Sequence, residues 1–239
     1  IANSVGMAMA SAWLAAHYNR PGFEIFNYRI YAFCGDGDLM EGVGSEAASL
    51  AGHLKLPNLT WIYDNNHVTL DGPASDSFSE NVEDRFHGYG WHVTHVTDAN
   101  DLDAFSRALD SAAQTKDRPT LIVLNSHIGY GSPHKQDTNA AHGEPLGEDE
   151  VKLVKKFYGW PEDQHFLVPP EIRENFSNGI GRRGRELRQR WELMFEEYAA
   201  KFPDLADQIQ RMQERQLPDG WDSNLPTFPA DPKGMATRD

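Results

Sequence analysis

Two short apolar runs organise the chain, and each ends in polar residues. The first, Ile30-Tyr31-Ala32-Phe33-Cys34, runs into Gly35-Asp36-Gly37-Asp38; the second, Leu59-Thr60-Trp61-Ile62-Tyr63, runs into Asp64-Asn65-Asn66. Both are short, β-rich and nearly continuous, the pattern of buried parallel strands. Between them Ala47, Leu50, Ala51 and Leu54 recur at helical spacing. A strand–helix–strand unit makes the two strands parallel. Both polar ends then emerge on one edge of the sheet, where open α/β sheets bind ligands.

The same alternation continues along the chain. Residues 1–18 are rich in small residues and read as a core helix, and 82–89 read as a helix closed by Gly90. Trp91 to Val96 alternates as a strand, which puts His92 and His95 on opposite faces, unable to share one metal. Leu102, Phe105, Leu109 and Ala112 mark an amphipathic helix over 101–113, and Thr120 to Leu124 is a further core strand. Strands alternating with helices predict an α/β fold with a doubly wound parallel sheet. Gly129 to Gly147, punctuated by Gly and Pro, reads as a long loop, functional or disordered. Helical patterns return at 149–157, 184–201 and 205–216. Arg182, Arg183, Arg185, Arg188 and Arg190 lie among glutamates there and read as a solvated helix face. Residues 217–233, rich in Pro and Asp around Trp221 as an anchor, read as a connector. The expected division is 1–148 for the α/β domain, 149–216 for a helical extension and 217–239 for a linker.

Composition narrows the partners. The 239 residues are 39% hydrophobic and 24% charged, with a formal charge of −14. That fits one globular α/β domain and argues against nucleic acid or an anionic membrane as partner. No signal peptide or membrane-length apolar run is visible. The one cysteine, Cys34, excludes an internal disulfide and favours a reducing, cytoplasmic setting. The chain starts at Ile1 within a helical pattern and stops at Asp239 without a closing element. It reads as an internal piece of a longer polypeptide, or one chain of a nicked or split enzyme.

The polar strand ends carry the chemistry. Gly35 and Gly37 flank Asp36, which lets the backbone turn sharply and approach a ligand. A helix expected to begin near Met40 favours a phosphate at its start. Asp36 offers a carboxylate, Asn66 a neutral oxygen and Val68 a carbonyl. So few protein oxygens suit Mg²⁺, with diphosphate and water completing the octahedron, better than a calcium cage.

Gly-Asp-Gly alone is ordinary turn chemistry. Followed at this spacing by Asn65-Asn66, it resembles the thiamin diphosphate signature. Around it, Gly35-Asp36-Gly37-Asp38-Leu39-Met40-Glu41-Gly42, Ser45 to His53, Asn19 to Phe23, Ile128 to Pro133, Gly159-Trp160-Pro161 and Ala236-Thr237-Arg238 are similar to transketolase. The resemblance runs from residue 1 to residue 239.

That resemblance implies transfer of a two-carbon ketol unit from a ketose phosphate to an aldose phosphate, with thiamin diphosphate as electron sink. It implies Mg²⁺, or Ca²⁺ or Mn²⁺ in its place, held by Asp36, Asn66 and the Val68 carbonyl. Gly35, Gly37, Glu41, Leu70, Ile128 and His142 would join Asp36 and Asn66 in cofactor binding. His142 is the catalytic candidate, and His142 and Arg238 would face the sugar phosphate. Glu41 and Glu46 read by themselves as solvated residues as readily as not; the resemblance places their helix at a homodimer interface and favours that role. Leu70 reads as core filling or as packing for the thiazolium ring, and His134 as a solvent-exposed bystander. Asp38 and Asn139 depart from the family, which commonly has an uncharged residue and a histidine there. The family's amino-terminal histidine segment and its activating glutamate lie outside this stretch. The chain is therefore expected to be inactive alone and to work with the remaining transketolase domains, in one polypeptide or a second chain, in the cytoplasmic pentose phosphate pathway. A dihydroxyacetone synthase-like enzyme, a 2-oxo acid dehydrogenase component and a non-catalytic cofactor-binding module are the alternatives. The His142 loop counts against the dehydrogenase.

Overall fold

A computed structural model describes residues 1–230 and 232–236. The chain divides into two compact units, Ile1–Ser177 and Asn178–Asp239. The first opens with helix α1 (Asn3–Tyr18) and strand β1 (Ile30–Cys34). Helices α2 (Asp36–Met40) and α3 (Gly42–His53) lead to β2 (Leu59–Asn65). Next come α4 (Val82–Gly88), β3 (His92–Val96), α5 (Leu102–Gln114) and β4 (Thr120–Asn125). A long loop then reaches α6 (Glu148–Phe157) and α7 (Pro170–Phe176).

The four strands form one parallel sheet in the order β1-β2-β4-β3. Period-two alternation sorts their side chains onto two faces. Trp61, Tyr63, Leu121 and Val123 join Val5 and Ala8 of α1, Ala48 and Ala51 of α3 and Phe86 of α4 in one core. Ile62, Ile122 and Leu124 join Ala108 and Ala112 of α5 in the other. The sheet is therefore covered on both faces, as the alternation of strands and helices predicts. His92 bonds Ser111 of α5 while His95 meets Glu83 of α4, so the two histidines do diverge.

The two indole N–H groups in the core are matched. The Trp61 indole donates to Ser4 Oγ and the Trp91 indole to the Ala48 carbonyl, both at 2.8 Å. Unpaired, each buried N–H would cost on the order of 1–3 kcal/mol.

Several expectations needed tertiary correction. β1 is an edge strand, and Phe33 is 68% exposed on the side facing away from the first core. Leu50, Leu54 and Leu102 are exposed; α3 instead buries Gly44, Ala48, Ala51 and Gly52, because small residues permit close helix–sheet approach. The helix expected near Met40 is two helices broken at Glu41, which is extended (φ −66°, ψ 128°). Arg85 of α4 occupies the break, donating from both terminal nitrogens to the Leu39 carbonyl at 3.1 Å and to Ser45 Oγ. Helix α7 was not evident in the sequence. Trp221 is 58% exposed, so it is not a buried anchor.

The second unit contains α8 (Arg182–Lys201) and α9 (Pro203–Gln213), packed together. Arg188 pairs with Glu192 at 2.7 Å, one helical turn on, as the solvated-face reading expects. Among the described residues no helix is long and apolar enough to cross a membrane.

Candidate functional site

The carboxyl ends of β1 and β2 lie side by side, since Cys34 is in register with Tyr63. Asp36 follows immediately after β1 as the first residue of α2. It is 2% exposed. Its Oδ1 accepts a 2.7 Å hydrogen bond from the Tyr63 hydroxyl, whereas its buried Oδ2 has no partner. Burial, and then the bond to Asp36, push the Tyr63 phenol far above its ordinary range, so it remains a donor. A buried carboxylate with one oxygen unsatisfied is a stability cost that a bound cation would relieve.

Asn66 follows β2 and is held on both sides of its amide. Its Nδ2 donates to Asp64 Oδ2 at 3.1 Å, and its Oδ1 accepts from the Val68 N–H at 3.0 Å. Asp64 is clamped in turn by Ser126, just past β4. Between them His67 takes a left-handed conformation (φ 62°), which folds the chain so that Val68 returns onto Asn66. An amide oxygen has two acceptor positions, so Asn66 Oδ1 retains one.

Asp36 and Tyr63 line one cavity of about 380 Å³; Asn66, Val68, Asp137 and Asn139 line another of about 510 Å³. His67 and Pro73 belong to both walls. The predicted metal donors thus sit on adjoining cavities at the sheet edge. The donor set is carboxylate, amide and carbonyl oxygen, and the unsatisfied Asp36 oxygen fits a hard divalent cation. Among the described residues there is no group of three or more His, Cys, Asp or Glu able to hold a metal. Any cation here therefore depends on Asn, main-chain and non-protein oxygens.

The other predicted residues separate. Gly35 caps α2 and gives its N–H to the Asp38 carboxylate at 2.9 Å. Asp38, the departure noted above, is thus a local cap. Neither Gly35 nor Gly37 adopts a positive φ, and a Cβ at either would meet open space. The turn does not itself require glycine at either position. Glu41 and Glu46 are exposed. Leu70 is 64% exposed, which removes the core-filling reading, and it lies beside Gly143, next to His142. Ile128 is half-buried, and its carbonyl accepts from the Asp137 N–H. His142 is exposed, and its N–H reaches the Asn139 carbonyl at 3.0 Å. Arg238 lies outside the described residues. Cys34 is buried, and burial, then nearby acids, push its thiol up to about 12.

The His142 loop is fastened by Glu150, which sequence reasoning did not single out. Glu150 of α6 accepts from the Ser132 hydroxyl and from the His134 N–H, and pairs with His134 Nδ1 at 2.8 Å. His134 is solvent-exposed, as expected, yet it is tied to Glu150 and so is no bystander. These bonds, led by that from Ser132, pull the Glu150 carboxyl down to about 2. A depressed carboxyl stabilises the fold above its unfolded value near 4.5, and that contribution drains away as pH falls toward 2. Glu150→Gln is expected to flatten this acid limb of a plot of Tm against pH; an unchanged limb would discount the fastening.

Comparison with known proteins gives one answer. Residues 1–218 match the family model described as transketolase, thiamine diphosphate binding domain. Transketolase from Geobacillus stearothermophilus is 49% identical over 238 residues, covering 100% of this chain and 36% of that protein. Transketolase 1 of Saccharomyces cerevisiae is 46% identical over 239 residues, covering 100% and 35%. A solved Pichia stipitis transketolase in complex with sedoheptulose 7-phosphate superposes with a TM-score of 0.89 at 40% identity, covering 95% of this chain and 33% of that one. Transketolase from Leishmania mexicana gives 0.89 at 40%, covering 95% and 34%. The chain spans about a third of the length of these relatives. Matched along its length in sequence and in fold alike, the chain belongs to the thiamine diphosphate binding domain family of transketolase.

Proposed function

We propose that the protein containing this chain transfers a two-carbon ketol unit from a ketose phosphate to an aldose phosphate, and that this chain supplies the diphosphate and metal half of the site. The observation that carries the reading is the buried Asp36 with one oxygen unsatisfied, at the sheet edge beside Asn66 and Val68. Asp36, Asn66 and the Val68 carbonyl would hold Mg²⁺, and the first-turn N–H groups around Gly37 would face the diphosphate. When bound, thiamine diphosphate supplies the electron sink for carbon–carbon cleavage.

The chain's own residues act around it. Leu70 presents an exposed apolar surface beside the His142 loop, suited to an aromatic ring; Ile128 adds a second apolar contact. His142 carries an imidazole that can donate to a diphosphate or sugar oxygen and move a proton near neutral pH. Arg238 would grip the sugar phosphate with its guanidinium fork. Residues 1–148 would form the binding core, 149–216 its helical extension and 217–239 the lead into a pyrimidine-binding domain. Glu41, at the start of α3, and Glu46, within it, are both exposed and would meet a second copy in a cytoplasmic homodimer of the pentose phosphate pathway.

Xylulose 5-phosphate and ribose 5-phosphate, given to the full-length protein with Mg²⁺ and thiamine diphosphate, are expected to yield sedoheptulose 7-phosphate. Cofactor binding without product would move the reading to another thiamine-dependent reaction.

A further inference from the structure

Asp36 is not the last word on its own geometry. A carboxylate has two equivalent oxygens, and rotation about its final torsion exchanges them. Asp36 is spared that exchange because one oxygen is already taken, by Tyr63. The Tyr63 ring is 3% exposed and lies in the same core cluster as Cys34, Leu39 and Val82, so the hydroxyl is delivered from a rigid platform.

We propose that Tyr63 is a positioning residue for the metal site: its hydroxyl holds Asp36 Oδ1 so that Oδ2 is the oxygen presented to the cation. This rests on the reading of Asp36 as a metal ligand. A phenol has one proton to donate, so it selects one carboxylate oxygen. The choice of donor also matters electrostatically. An arginine or lysine at this point would neutralise Asp36 and compete with the cation, whereas a neutral hydroxyl leaves the negative charge available. Mg²⁺ demands near-ideal octahedral geometry, so a fixed single-oxygen donor serves it better than a freely turning carboxylate. Register supplies the placement: Tyr63 sits opposite Cys34, and Asp36 lies two residues beyond Cys34.

The test is a Mn²⁺ titration of the full-length protein, stripped of metal and held with excess thiamine diphosphate, following free Mn²⁺ by its paramagnetic resonance signal. Tyr63→Phe keeps the ring and removes only the hydroxyl. It is expected to weaken Mn²⁺ binding by about 10–100-fold, the usual effect of losing an outer-sphere partner. Leu121→Ala, a cavity on the same sheet face with no bond to Asp36, is expected to leave affinity within about twofold. Affinity within twofold in Tyr63→Phe would overturn the proposal, as would an equal loss in Leu121→Ala, which would mark a general effect of destabilisation. Asp36→Asn separates the two levels. Lost binding in that variant upholds the metal reading, so that the Tyr63→Phe result alone decides the positioning role; unchanged binding overturns both.

Discussion

Asp36→Asn is expected to remove cation-dependent cofactor binding while leaving the metal-free protein at least as stable as the wild type. The two effects have one cause. Asp36 is buried with one oxygen unpartnered, and such a group costs on the order of 1–3 kcal/mol until something occupies it. Asparagine keeps an oxygen for the Tyr63 hydroxyl and abolishes the formal charge. It also loses the anionic donor that a divalent cation requires. A ligand that binds only the folded state adds about 2.7 kcal/mol of stability at a hundredfold excess over its Kd. Wild-type protein should gain that increment on adding Mg²⁺ with thiamine diphosphate, seen as a raised Tm, and the variant should gain none. Equal gains in both proteins would refute the assignment of Asp36.

Gly52→Ala is expected to destabilise the fold by about 3 kcal/mol or more, although alanine is the better helix former. Gly52 lies in the last turn of α3, where the chain leaving α4 comes to rest on it. A Cβ there would stand 1.9 Å from the Tyr89 carbonyl oxygen and 3.0 Å from its carbon. Both are main-chain atoms, so relief requires moving α3 against α4. The helix-propensity gain is about 1 kcal/mol and cannot offset a backbone clash. Gly6→Ala in α1 is the control, because a Cβ there meets open space. It should be neutral or stabilising by up to about 1 kcal/mol. Urea unfolding of both variants reads the difference; a Gly52→Ala midpoint equal to wild type would contradict the α3–α4 contact. The effect should reach Asp36, since Arg85 ties α4 to the break between α2 and α3 beside it.

Local pattern was enough for the parallel sheet and for the edge on which the polar residues gather. β2 and β4 read as continuous apolar runs because they are the central strands, covered on both faces. Composition at the strand ends was enough to place oxygen donors at the sheet edge, because Asp36, Asn66 and Val68 lie within three residues of the ends of β1 and β2. Local pattern failed where burial depends on which neighbour arrives. β1 looks as apolar as β2 yet lies at the edge, so Tyr31 and Phe33 remain exposed. Leu50 has the periodicity of a core residue, but α3 approaches through its small residues and turns the leucine outward.

The partners of the site residues were beyond any sequence pattern. Tyr63 meets Asp36 across 27 positions, Ser126 meets Asp64 across 62, and Glu150 meets Ser132 across 18. Hydrogen bonds at such separations leave no periodic trace, because the intervening chain sets the geometry. The chemistry of each donor was therefore local in origin. Which oxygen of Asp36 is left free, and which loop histidine is fastened, was settled by side chains that meet only once the sheet has formed.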